Sequence, residues 1–331
     1  MNLTNEADIS LPLAVWLLHD TYDYQVDPNA ISATTLMKPI RQIILPSRIN
    51  PDLVSTDISE FIARTLGHSI HDSIERAWSS DEGRANALKL LGYPEDVINK
   101  VRVNPSDEEI QADPEIIPVF IEKRLSVTHR GKRVHGKFDM VAEGIINDFK
   151  STSAWAWAKG TRDEDFVEQM SIYRWIDHHQ EIPKITEDFG QINFIFTDWA
   201  KGMAKTNPDY PQKRVETKQL KLMTLAATEQ FIDHKLDLLA RYQNLPEKQI
   251  PHCTPDELWM SDPIFKFFSD PAKAKDPNAR STKNFDDLGS AKLYQSEKGG
   301  KGVIVTVTGE PKRCGYCAAF DACTQKDQWF K

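Results

Sequence analysis

The chain has 331 residues and is acidic, with 49 aspartates and glutamates against 41 lysines and arginines and a net charge of −8. That balance excludes a protein that coats nucleic acid through bulk positive charge. The length allows a large core, and one main domain (1–244) with a smaller module (245–331) fits better than two equal halves. Residues 9–18 are apolar, but they are too short to span a bilayer and no basic region precedes them, so the expectation is a cytoplasmic chain without a membrane segment.

Residues 57–78 carry Ile58, Ile62, Leu66, Ile70, Ile74 and Ala77 on one stripe, with Asp57 and Glu60 placed as a capping box, which predicts an amphipathic helix. Gly67, His71 and Glu75 run beside that stripe at a spacing of four and stack along one line of the helix. A glycine there lets another backbone approach, and a neutral imidazole one turn on is a competent metal ligand. As a lone histidine beside an apolar face, His71 reads more readily as a core residue than as a ligand.

The amino-terminal helical region extends to about Gly92, and an acidic, proline-containing connector runs to about Pro118. Strands are predicted across residues 119–150. Glu143-Gly144 reads as a two-residue hairpin turn, which sets Asp139 directly across from Asp148. Opposed Cβ atoms lie about 5 Å apart, and two negative charges at that range repel by roughly 3 kcal/mol at an effective dielectric of about 20. A positive group is expected between them. Lys150, two residues past Asp148, points to the same side, so two carboxylates and an ammonium converge as at a divalent-metal site. A solvated surface hairpin is the plainer alternative.

Beyond the hairpin, Trp155 and Trp157 are candidates for stacking on bases, with core packing the alternative. Thr161 and Glu164 resemble a capping box for a helix to about Asp177 that turns Phe166, Met170 and Ile176 inward. Gln169 and Tyr173 lie one turn apart on it. A strand over 192–197, a long helix over 215–242, a loop over 269–284, a hairpin turn over 297–302 and a strand over 302–308 complete the pass. The 297–302 segment lacks the ending of a nucleotide-binding P-loop. Basic residues cluster at Lys123, Arg124, Arg130, Lys132, Arg133 and Lys137, and again between Lys201 and Lys221. Such patches can follow a phosphate backbone despite the acidic total.

All four cysteines are Cys253, Cys314, Cys317 and Cys323. Three fall in one C-x-x-C-x5-C run, and Cys253 would complete a set for an iron–sulphur cluster or zinc. A disulfide framework is not expected without a secretion signal.

The ordered set Gly67-x3-His71-x3-Glu75, Gly136-x-x-Asp139, Asp148-Phe149-Lys150 and Gln169-x3-Tyr173 resembles the RecB-type branch of the PD-(D/E)XK nucleases. The resemblance implies an α/β fold with a PD-(D/E)XK restriction-endonuclease-like core, a mixed central sheet flanked by helices, followed by a C-terminal four-cysteine metal module. It implies that His71, Asp139, Asp148 and the Phe149 carbonyl hold catalytic Mg²⁺ or Mn²⁺, and that Lys150 orients and helps deprotonate the attacking water. Gln169 and Tyr173 would contact DNA or steady the lysine, and Glu122 matches a less constant acidic position.

The cysteine run is similar to that of the iron–sulphur exonucleases of the CRISPR-adaptation and AddB kind and of phage-encoded relatives, which implies a 4Fe-4S cluster, with zinc the alternative. In those relatives the fourth cysteine precedes the nuclease motifs, whereas Cys253 follows Tyr173, so a metal here is expected to pin only the carboxy-terminal region. The implied activity is metal-dependent DNA hydrolysis by an exonuclease acting on free DNA ends in recombination, repair or phage DNA processing, with recombination or replication proteins as partners. A catalytically silent DNA-binding protein of the same fold and a zinc-stapled interaction module are the alternatives.

Overall fold

The computed structural model describes residues 2–330 apart from 21–26, 51, 53, 161 and 277. In chain order its main elements are α1 (Leu11–Leu18), β1 (Ala30–Ser32), α2 (Ile40–Ile44), α3 (Ile62–Ser79), α4 (Asp81–Leu90), β2 (Val101–Val103), β3 (Ile117–His129), β4 (Lys132–Ala142) and β5 (Ile145–Thr152). They continue with α5 (Ala154–Ala158), α6 (Asp163–His178), β6 (Phe189–Phe196), β7 (Val215–Lys221), α7 (Leu225–Tyr242), β8 (Ile264–Phe268), β9 (Lys283–Phe285), α8 (Leu288–Glu297) and β10 (Val303–Val307). The chain divides into two compact units, Met1–Lys38 with Asn50–Leu238, and Pro39–Ile49 with Leu239–Lys331. No helix among the described residues is long and apolar enough to cross a membrane.

The first unit is a mixed α/β structure around a seven-stranded sheet ordered β2-β3-β4-β5-β6-β7, with β1 alongside β4. Two tight turns set its central register. Arg130-Gly131 and Glu143-Gly144 all have left-handed φ values, 50° and 76°, then 52° and 75°, as a two-residue hairpin requires. The pairs His129↔Lys132 and Ala142↔Ile145 close directly on them. Gly144 is doubly constrained, since an added Cβ would also strike the Thr186 side chain.

The pairing of β4 with β5 ends at Met140↔Asn147, whereas β5 continues in parallel with β6 from Ile146↔Gly190 to Thr152↔Phe196. The two strands therefore part beside Asp139 and Asp148, while β1 takes the edge of β4 at Arg133 to His135. Val101, Val119, Ile121 and Met140 form a core against Trp78, Leu88 and Phe149, which joins the α3–α4 helices to the sheet. Helix α6 packs on β3 and β4.

Several expectations are corrected. Residues 215–221 form a strand rather than the start of a helix, pairing antiparallel with β6. The alternation V-E-T-K-Q-L-K is half-buried with period two, and helix α7 begins only after Met223 and Thr224. Residues 58–61 form a 3-10 turn before α3, and Asp57 caps it through the Ser59 N–H instead of forming a box with Glu60. The apolar stripe is not uniformly covered, because Ile62 and Leu66 are exposed. The 297–302 segment is the end of α8 leading into β10, with Gly299, Gly300 and Gly302 left-handed, rather than a hairpin. Thr161 lies outside the described residues, and Arg162 at the amino terminus of α6 makes no side-chain cap.

The second unit carries a three-stranded sheet ordered β9-β8-β10, with α8 against all three strands. Phe267 and Phe285 meet the ring of Tyr294 at centroid distances of 5.2 and 5.3 Å. Residues 39–49 belong to this unit although nearly 200 residues separate them from the rest of it. The turn Leu45–Arg48 packs against the turn Phe320–Ala322 within the cysteine run.

Candidate metal and active site

The two turns place three carboxylates in one row. Ile121↔Met140 and Lys123↔Phe138 flank Glu122 and set it opposite Asp139, and the register of the second hairpin, carried one step past Met140↔Asn147, sets Asp139 opposite Asp148. Glu122 has a left-handed φ of 50°, uncommon for a residue with a side chain and of the kind that clusters at functional sites. Where β4 and β5 separate, the Phe149 N–H donates to Asp139 Oδ2 at 2.8 Å. In the next peptide the Phe149 carbonyl meets His71 Nε2 of α3 at 3.0 Å.

The other nitrogen of His71, Nδ1, lies 3.5 Å from Asp139 Oδ1 and 3.9 Å from Glu122 Oε1. Among the described residues, His71, Glu122 and Asp139 are the one group of three or more metal-type side chains whose ligand atoms lie within 4.8 Å of one another. They share a cleft of about 310 Å³ with His68, Asp72, Glu75 and Lys137, and Lys137 ion-pairs with Glu122. One imidazole and two carboxylates are a donor set suited to Mn²⁺ or Mg²⁺, while the Phe149 carbonyl faces the other ring nitrogen.

Asp148 is not a member of that trio. It is 3% exposed, and its Oδ2 lies 2.6 Å from Lys150 Nζ without accepting a well-aligned hydrogen bond among the described residues. Burial pushes its pKa up, with the Lys150 charge opposing and the Asp139 charge adding to the rise. Burial works against the Lys150 ammonium, but the charges of Asp148 and Asp139 outweigh it and hold its pKa above the ordinary lysine value. An easily deprotonated lysine is therefore not what the metal-free protein contains, because two carboxylates favour the charged form.

Gln169 Nε2 donates to Tyr173 Oη at 3.0 Å. The Tyr173 ring lies where a side chain on Gly136 would be, which explains the glycine three residues before Asp139. Neither Gln169 nor Tyr173 lines the cleft. Trp157 packs on Phe196, and Trp155, 41% exposed, leans on the buried Tyr210 ring.

The close carboxylates raise the His71 pKa to about 10, Asp139 first and Glu122 next, against the cost of burial. Burial opposes ionisation of Glu122 and Asp139, but His71 holds both carboxyls below their usual range, with Lys137 helping at Glu122. Without metal, an imidazolium thus occupies the position of a cation. Because the folded pKa is raised above the ordinary value of 6.5, this contribution to stability is full below that pH and is lost as pH climbs to about 10. In EDTA-treated protein, NMR should find the His71 ring still protonated at pH 8. A ring already neutral at pH 7 would contradict the proximity of both carboxylates.

In the second unit the four cysteines are unpaired and line one small cavity of about 20 Å³. Burial pushes Cys253 up to about 12, with Glu257 and Cys323 adding to the rise. Burial likewise raises Cys314, helped by Cys317 and Cys323. The Gln325 side chain clamps the Cys253 backbone, accepting from its N–H at 2.8 Å and donating to its carbonyl at 2.9 Å. Arg41 also lines the cavity, so this unit is built from an upstream segment as well as from the carboxy-terminal region alone.

No protein-family model matches the chain, and no curated protein matches it. Among solved structures it is similar to SSO0001, with 15% identity over 65% of this chain and 79% of that one and a TM-score of 0.39. It is similar to an alkaline exonuclease (LHK-Exo) from Laribacter hongkongensis, with 10% identity over 64% of this chain and 89% of that one and a TM-score of 0.33. A phage related exonuclease from Haemophilus somnus 129PT is 14% identical over 49% of this chain and 82% of that one, with a TM-score of 0.21.

Proposed function

We propose that the protein is a divalent-metal-dependent DNA nuclease that acts on free ends. The observation that carries this reading is the meeting of His71, Glu122, Asp139 and the Phe149 carbonyl where β4 and β5 part, beside the Asp148–Lys150 pair. His71, Glu122 and Asp139 would hold Mg²⁺ or Mn²⁺, which when bound supplies a nucleophilic hydroxide at neutral pH and relieves charge on the scissile phosphate. Asp139 also accepts from the Phe149 N–H, which ties β5 to the carboxylate where the strands part. Asp148 holds the Lys150 ammonium in place, ready to donate to a phosphate oxygen or orient a water. Gln169 and Tyr173 brace β4 from α6 through the contact with Gly136, and Lys137 limits the repulsion between Glu122 and Asp139.

The four cysteines are proposed to hold a structural metal centre. All four line one cavity, and the C-x-x-C-x5-C run with Cys253 supplies the four thiolates that a 4Fe-4S cluster takes, with zinc the alternative. Recombination, repair or phage DNA processing is the setting proposed for the activity.

End-labelled linear DNA and covalently closed circular DNA, incubated with protein and Mn²⁺, test this reading. Labelled nucleotides should be released from the linear form, while the circle survives and EDTA stops the reaction. Nicking of the circle at an equal rate would replace the exonuclease with an endonuclease.

A further inference from the structure

Arg41 is 1% exposed, and an interior guanidinium is costly unless its charge and its donors are all answered. Within the second unit it ion-pairs with Glu247, and its Nη1 donates to the Ile250 carbonyl at 2.9 Å. Its Nε–H points at Cys323 Sγ, 3.4 Å away. Glu247 is itself held by the residue after that cysteine, accepting from the Thr324 N–H at 3.1 Å and from its hydroxyl at 2.9 Å. The fork is thus fixed on two sides, and its Nε–H is aimed at a sulphur of the cavity wall.

Four thiolates carry four negative charges, two more than a dication or a doubly charged cluster core supplies. A buried cation beside them offsets that excess, and an N–H donated to sulphur is one of the ways a protein tunes a thiolate-held metal. We infer that Arg41 is a positioning residue of the four-cysteine centre, donating Nε–H to the Cys323 thiolate and balancing the negative charge of the bound metal complex. The inference rests on reading the cavity as a metal centre. It also gives residues 39–49 a reason to belong to this unit, since the centre is then completed by a side chain 282 residues from its cysteine.

The test compares the full-length wild type with Arg41→Met, Arg41→Lys and Glu247→Gln. It reads metal content, affinity by chelator competition, and the position of the sulphur-to-metal charge-transfer band, after exchange for Co²⁺ if the metal is zinc. Arg41→Met should bind metal about 10–100-fold more weakly and move the band to longer wavelength, because the sulphur loses its donor. Arg41→Lys, which keeps the charge but lacks the planar fork that fixes the Nε–H towards Cys323, should move the band the same way. Glu247→Gln removes the ion pair but keeps the Nε–H, so its band should stay at the wild-type position. A metal-loaded Arg41→Met protein with wild-type affinity and band overturns the role of Arg41 alone. Wild-type protein without metal overturns the centre and this role together. Should Arg41→Met fail to fold, an unshifted band in Arg41→Lys contradicts the inference.

Discussion

Asp139→Asn should reduce DNA cleavage about a thousandfold or more while the protein stays folded. Charge stabilisation by a catalytic metal is worth several kcal/mol, and each ~1.4 kcal/mol is a factor of ten in rate. Asparagine keeps an oxygen to accept the Phe149 N–H but removes the charge that His71 and a cation both need. Circular dichroism should therefore change little while single-turnover cleavage collapses, and the melting temperature should fall only by the lost pairing of Asp139 with His71. Wild-type cleavage by folded Asp139→Asn would remove Asp139 from the metal site. Lys150→Ala is a less clean substitution, because the buried Asp148 carboxylate is left without its cation. Breaking one side of such a pair costs about 3–5 kcal/mol, so that variant should lose stability and activity together.

Cys317→Ser should destabilise the second unit as a whole rather than one loop of it. Metal binding to four cysteines is part of the folding free energy, on the order of 10 kcal/mol for small structural sites, comparable with the total stability of a domain. The buried thiols are poor substitutes, since Cys253 without metal resists ionisation up to about 12. Limited proteolysis should open the segments around Cys253 and Cys314, and anaerobically purified wild type should hold about four irons where Cys317→Ser holds fewer. Equal protease resistance, stability and metal content in the two proteins would show that the cysteines staple nothing.

Much of the candidate site's geometry is written in short-range signals. Glu143-Gly144 can close only a tight turn, and counting from it reaches Asp139, Asp148 and Lys150 without further information. Arg130-Gly131 carries the same signal, and counting from it sets Glu122 opposite Asp139. That count would have moved Glu122 from a secondary acidic position into the trio. Asp148 as a lysine-paired group was less legible, because its burial depends on how β5 leaves β4 for β6. Residues 215–221 misled because Glu, Lys and Gln suit a helix locally, and pairing with β6 overrides that preference. Arg41 had no local sign at all. Its partners lie more than 200 residues downstream, and only packing brings them together.

The central claim, that His71, Glu122 and Asp139 hold the catalytic cation, is tested most directly by Mn²⁺ binding followed by electron paramagnetic resonance. Wild type should bind Mn²⁺ with a nitrogen modulation from the His71 ring. His71→Ala should lose that modulation and bind more weakly, with a melting temperature lowered only by the lost pairing with Asp139 and Glu122, since the ring is half-buried against the cleft rather than enclosed in the core. A His71→Ala protein with unchanged Mn²⁺ affinity, no missing nitrogen signal and a large fall in melting temperature would return His71 to a packing role and contradict the account.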